Sequence, residues 1–382
     1  MAHYVQVKPE LLRWAVDRSG LPRDAYANTL DDWLNGDKKP TYNQLEAFAR
    51  RAMVPVGYLF LEHPPNEELP VPDYRTRHGD GVRQPSPNLI ETIFEMKARQ
   101  EWMREFLLDH GHDALPFVGS ASVGDAIGPL AERMRNALRL VAGWAERQPS
   151  WEAALRSLRE QIEDAGILIF FNGIVGNNTS RKLDPDEFQG FVLVDRVAPL
   201  VFVNASDFKV AQMFTIAHEL AHLWVGQSAL FDLIATEPAN YDVEKYCNAV
   251  AAEFLIPSDE FEVAWAASTR DVSAFTSLAR RFKVSPVVIA RVAKNKRRIS
   301  SDDFFAFYRN HMSQEKARQS ERSRGGDFWR NQGVRLGRRF GRAVISAVRD
   351  GRLTYSQAYD LTQLHGRTFD KYAQVLGVNI QE

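Results

Sequence analysis

The chain of 382 residues contains a single cysteine, Cys247, so no internal disulfide can form and a reducing compartment suits it. It has no run of 18 apolar residues, which excludes a membrane-spanning helix of ordinary length. Residues 1–14 lack an uncharged apolar core, so no signal peptide is expected there. Internal repeats and low-complexity tracts are also missing, and the chain does not read as a repeat array. These absences together lead us to expect a cytoplasmic protein with no membrane partner. Its hydrophobic share of 45% and charged share of 25% are those of an ordinary globular chain, long enough for two or three domains.

An excess of either charge sign is lacking overall, with 48 Lys and Arg against 49 Asp and Glu, but the distribution is uneven. Between residues 291 and 350 there are 16 Lys and Arg against 6 Asp and Glu, a local +10 that leaves −11 for the remainder. A basic C-terminal region of this kind either binds an acidic partner such as DNA or forms a solvated helical face.

What the chain does have is the run His218-Glu219-Leu220-Ala221-His222, inside a stretch that reads as helix. Two histidines four residues apart share a helix face and can reach one ion, and the intervening glutamate can address a water on that ion. Phe214, Ile216 and Leu223 supply an apolar face to seat such a helix. A catalytic zinc needs three protein ligands. The third is expected from the next helix, at about 241–255, where Glu244, Glu253 and Cys247 are the candidates. Glu244 and Glu253 lie nine residues apart and so point about 180° from each other at about 100° per residue. Glu244 is favoured and Glu253 is the rival, because Asn248 shares a face with Glu244 and could orient a ligand by a hydrogen bond.

The pattern around these motifs predicts an α+β fold, mostly α. Helices are expected in the first 62 residues, from 88 to about 145 with an interruption, and from Trp151 to Ala165 behind a Ser150 cap. Short strands are expected at 166–171, 188–195 and 200–204, and helices from 206 onward. The 200–204 strand is expected to offer an edge on which a peptide could pair. Prolines 64, 65, 70 and 72 with Glu67 and Glu68 read as a stiff acidic linker.

The first motif, followed by Glu244-Lys245-Tyr246-Cys247-Asn248-Ala249-Val250-Ala251-Ala252-Glu253-Phe254-Leu255-Ile256-Pro257, resembles the ImmA/IrrE family of zinc peptidases over about residues 150–300. Cys247 and Val250 depart mildly from that pattern, standing where Ala and Phe are usual. The resemblance implies a zincin-like core, Zn2+ held by His218, His222 and Glu244, and Glu219 as general base. It further implies a protein substrate, such as a transcriptional repressor or a toxin–antitoxin partner. Residues 1–75 resemble an Xre-type helix-turn-helix module through Asp32-Trp33-Leu34-Asn35-Gly36, Pro40-Thr41 and Gln44-Leu45. The element Pro72-Asp73-Tyr74-Arg75-Thr76 recurs in such fusions. Between Gly20 and Trp33 the chain is too short for the usual second and third helices, which argues against a full recognition helix. The segment 280–291 also looks like helix-turn-helix, but the resemblance makes it part of the peptidase fold. Residues 76–149 are expected to form a linker and helical spacer, and 301–382 a basic helical C-terminal region. The rival functions are a DNA-binding regulator and an antitoxin-like binding protein with a non-proteolytic metal site.

Overall fold

The computed structural model describes residues 3–26, 29–65, 77–78, 81–82, 85–207, 209–231, 241–321 and 335–378. The chain divides into two compact units, one reaching Phe94 and the other starting at Glu95. Pro70, Pro72, Glu67 and Glu68 of the expected linker, and the 72–76 element, lie outside the described residues. No described helix is long and apolar enough to cross a membrane.

The N-terminal unit is built from α1 (Pro9–Ser19), α2 (Thr29–Asn35) and α3 (Tyr42–Ala52). Thr41 starts α3 with a reciprocal cap: its side chain accepts from the Gln44 N–H, while Gln44 accepts from the Thr41 N–H. Leu12, Leu30, Trp33, Leu45 and Phe48 form a small core. Among the described residues between Ser19 and Thr29 there is only a three-residue turn, Arg23–Ala25. The helix that follows opens on Asp31 and Asp32. As the short spacing predicts, the full pair of helices preceding Trp33 is not seen among these residues. Strands β1 (Arg77–His78) and β2 (Gly81–Val82) form a separate small ladder.

The second unit follows from the rest of the chain. Helix α4 (Pro87–Asp109) crosses the boundary, and α5 (Ile127–Ala137) and α6 (Trp151–Asp164) come next. Ser150 caps α6 as expected, accepting from the Ala153 N–H at 3.2 Å. Then come β3 (Leu168–Asn172), the hairpin β4 (Ile174–Val175) and β5 (Asn178–Lys182), β6 (Gly190–Leu193) and β7 (Leu200–Asn204). After these run α7 (Lys209–Val225), β8 (Ala229–Phe231), α8 (Tyr241–Leu255), α9 (Ser258–Ala266), α10 (Ala274–Phe282), α11 (Pro286–Asn295) and α12 (Ser301–Glu321). The C-terminal helices are α13 (Arg338–Arg349), α14 (Tyr355–Thr362) and α15 (Arg367–Val375). The fold is α+β and mostly α.

The main sheet has the order β3-β7-β6-β8, with β3 parallel to β7 and the other pairs antiparallel. This corrects the expectation that 200–204 is an edge. β7 is hydrogen-bonded on both sides, so its backbone has no free ladder groups, and all five of its residues are buried. The sheet edges are β3 and β8. An apolar run buried on both faces is the pattern of an interior strand, and the residues alone could not distinguish it from a one-sided edge.

Ile169, Phe171, Val192, Val201 and Val203 share one core with Phe214, Ile216, Leu220 and Leu223 of α7. Strand residues alternate between faces, so this core occupies one face of the sheet. Phe275, Leu278, Ile289 and Ala290 of α10 and α11 are buried in the same core, so the helix-turn-helix look of 280–291 resolves into packing.

A loop fixes the far end of α7. The N–H groups of Gly119 and Ala121 donate to the carbonyls of Leu223 and Trp224 at 3.1 and 2.9 Å, which satisfies two end groups of the helix. Phe117 stacks on Trp224 with centroids 4.5 Å apart. Gly226 ends the helix at φ 81°, where a Cβ would meet the Gly119 Cα at 2.8 Å. Gly226→Ala should therefore cost backbone strain plus a backbone overlap. Gly111→Ala, at φ 72° in open space, should cost strain alone, about 1 kcal/mol. Urea unfolding midpoints should fall clearly further for the Gly226 variant, and equal falls would refute the close approach as the reason for this glycine.

Candidate metal centre

Between Gln212 and Trp224 helix α7 is buried all round, which is unusual for a helix carrying two histidines and a glutamate. His218 and Glu219 are 0% exposed and His222 is 1% exposed. The four-residue spacing stacks the imidazoles on one face, with their Nε2 atoms 2.9 Å apart. Helix α8 packs across this face and brings Glu244 between them. Its Oε2 lies 3.1 Å from His218 Nε2 and its Oε1 lies 3.1 Å from His222 Nε2. These residues form the one group of three metal-ligating side chains among the described residues, with donor atoms all within 4.8 Å.

The electrostatics follow from burial. Desolvation pushes the His218 imidazole down to about 4, against the hydrogen bonds it donates to Glu244 and Asn248, which favour its charged form. The ring is then neutral near pH 7, the state in which imidazole ligates a metal. Burial alone would raise the Glu244 carboxyl, but the hydrogen bonds donated by His218 and His222, with the charge these rings carry at acid pH, outweigh it and hold the group well below the usual carboxylate range. Glu219 is pushed far up, by burial first and then by the charge of Glu244. Neither Glu219 oxygen has a hydrogen-bond partner among the described groups.

The group fits a zinc-type ion. Two nitrogens and one carboxylate supply the N/O donor set such an ion takes, and one ion coordinates three protein donors in a catalytic site. Donors about 2.0–2.1 Å from a tetrahedral ion lie roughly 3.3 Å from one another. The 2.9 and 3.1 Å spacings seen here are near that value. The half-buried Glu244 carboxylate, with the buried Glu219 beside it, would gain from the positive charge of a divalent cation.

Each expected residue has a definite place. His218, His222 and Glu244 converge, with Glu219 on the same helix and Asn248 within hydrogen-bonding reach of His218. Glu253 is occupied elsewhere. It accepts from the Ser258 N–H at 2.9 Å and from the Ser258 hydroxyl at 2.6 Å, tying the end of α8 to the start of α9. Cys247 is buried and outside the donor group, and burial with the nearby charges of Glu244 and Glu219 keeps it a thiol.

Two contributors escaped the sequence reading. Gly190 of β6 faces Glu219: a Cβ there would lie 2.7 Å from Thr215 Cγ2, 2.9 Å from the Phe202 carbonyl oxygen and 3.3 Å from Glu219 Oε1. The missing side chain is what lets α7 lie against the sheet. Arg135 of α5 donates to the Glu253 and Phe254 carbonyls at 2.8 and 3.3 Å, anchoring the end of the helix that carries Glu244. A glycine in a strand pattern is a signal of close approach, but which element approaches is not written in the strand.

Residues 162–294 match the family described as the IrrE N-terminal-like domain, a peptidase family. The match supports a metallopeptidase of the ImmA/IrrE type. Residues 336–374 match a domain of unknown function. Among curated proteins none matches the chain.

Glu244→Ala should lower zinc affinity more than about a hundred-fold, since it removes a donor and not merely a residue that orients one. Glu253→Ala should keep about one zinc per chain and instead lose about 1–2 kcal/mol of stability, from the unpaired Ser258 N–H. Zinc titration with a competing chelator, alongside denaturant unfolding, separates the two. Loss of zinc from the Glu253 variant alone would reverse the ligand assignment. Gly190→Ala should lower stability by about 1–3 kcal/mol through overpacking, read in the same unfolding assay, and an unchanged midpoint would show that α7 does not need the gap.

Proposed function

We propose that the chain is a zinc-dependent endopeptidase acting on a regulatory protein in the cytoplasm. Transcriptional repressors, or partners in stress-response, mobile-element or toxin–antitoxin control, are the expected substrate class. The observation that carries the reading is the unpartnered, buried Glu219 carboxylate beside three converged donors. A site that only held structure would close its coordination with protein groups and would have no use for such a base.

His218, His222 and Glu244 would hold the ion, and Asn248 would orient the His218 ring. When bound, zinc supplies Lewis acidity, which makes water a better acid and polarises a carbonyl. Glu219 takes the proton that water loses as its oxygen bonds to the scissile carbonyl carbon. It then gives that proton to the departing amine nitrogen as the C–N bond breaks, and ends as the carboxylate it began as.

The experiment is a comparison of wild type with Glu219→Gln on a candidate repressor encoded beside this gene. The variant should retain about one zinc per chain and cleave at least about a hundred-fold more slowly. Equal cleavage by the two proteins would sink the mechanism. His218→Ala should lose both the zinc and the activity.

A further inference from the structure

The sheet that seats α7 has a second face. On β3 and β7, Ile169, Phe171, Val201 and Val203 point toward α7, so Phe170, Leu200 and Phe202 point the other way. On β6, Phe191 stacks on Phe202 with centroids 4.8 Å apart. All of these are buried, although the core shared with α7 does not include them. Left open, they would form an apolar patch of a kind folded chains rarely expose.

The C-terminal helices cover this face. Phe340 of α13 meets Phe170 edge-on at 5.5 Å and Trp102 of α4 edge-on at 5.7 Å. The Arg99 guanidinium lies 5.4 Å from the Phe170 ring and 5.8 Å from the Phe340 ring, and its Nε donates to the Leu361 carbonyl at 2.9 Å. The first turn of α13 is held from α6. The buried Glu163 carboxylate accepts from the N–H groups of Arg338 and Arg339 at 2.6 and 3.1 Å and from Arg338 Nε at 3.3 Å. Gly337 sits so close that a Cβ would come within 3.0 Å of both Glu163 Oε1 and the Ile169 carbonyl oxygen. The Tyr372 hydroxyl of α15 donates to the Gly337 carbonyl at 3.2 Å, and Phe369 and Tyr372 are buried.

We propose that residues 336–374, the segment matching a domain of unknown function, are the obligatory back layer of the metal-bearing fold. They act as an intramolecular partner, without which the sheet cannot hold α7 and its donors in place. One charge of the basic surplus of 291–350 has an internal partner of the same kind: the Arg338 guanidinium pairs with the buried Glu163 at 3.3 Å. The inference is independent of the peptidase reading, because its test reads folding and zinc content only.

The test uses the full, zinc-loaded chain with a specific protease site inserted at Gly325-Gly326, between α12 and α13. After cutting, the two pieces should co-elute on size exclusion and keep about one zinc per chain. In the uncut chain, Phe340→Ala should lower the melting midpoint by roughly 10 °C, while Arg342→Ala, on the exposed side of α13, should leave it within about 2 °C. Cut Phe340→Ala protein should release the C-terminal piece and lose zinc. The proposal is overturned if the C-terminal piece leaves the cut wild-type chain while zinc and midpoint persist. It is equally overturned if Phe340→Ala shifts the midpoint no more than Arg342→Ala does.

Discussion

Everything in the larger unit answers to one constraint: a helix with two imidazoles and a carboxylate has been taken out of water. Burying such groups unpaired costs several kcal/mol each. Glu244 offsets part of that cost by meeting both Nε2 atoms at 3.1 Å. The contact works only if α7 and α8 keep one axial register, because an error of one residue in either helix rotates a donor by about 100°. The anchors at the ends of both helices are therefore part of the site. The 115–121 loop fixes the end of α7, and Arg135 with the Glu253–Ser258 contact fixes the end of α8.

Glu219 marks the limit of that compensation. Its oxygens face no donor among the described groups, and burial beside Glu244 disfavours its charge. A fold selected only for stability would replace such a group with an apolar one of similar size. Keeping it is the kind of local cost that functional sites carry, and the gap left by Gly190 admits it against the sheet.

The sheet is the second support. The three strands β3, β6 and β7, buried on both faces, need cover on both. One face is met by α7 and the helices around it. The other is met by α4 and by helices that lie more than a hundred residues beyond the histidine motif. The unit that carries the candidate metal donors is for this reason larger than the 162–294 segment that matches a peptidase family.

The sequence by itself determined the helix with its two histidines, because a four-residue spacing needs only the geometry of one helix to become a shared face. It also determined α8 to the residue, the Ser150 cap of α6 and the strand at 200–204, since caps, prolines and apolar runs are local signals. Glu244 over Glu253 was arguable from the shared face with Asn248; packing then brought Glu244 beside the histidines and gave Glu253 to Ser258. Tertiary structure alone decided three things. The 200–204 strand became interior, because an apolar run does not record how many neighbours it will have. Gly190 became the clearance for Glu219, because a missing side chain says nothing of what approaches it. The basic C-terminal region turned part of its charge inward onto Glu163, because the partner of a charge run lies wherever the chain folds back.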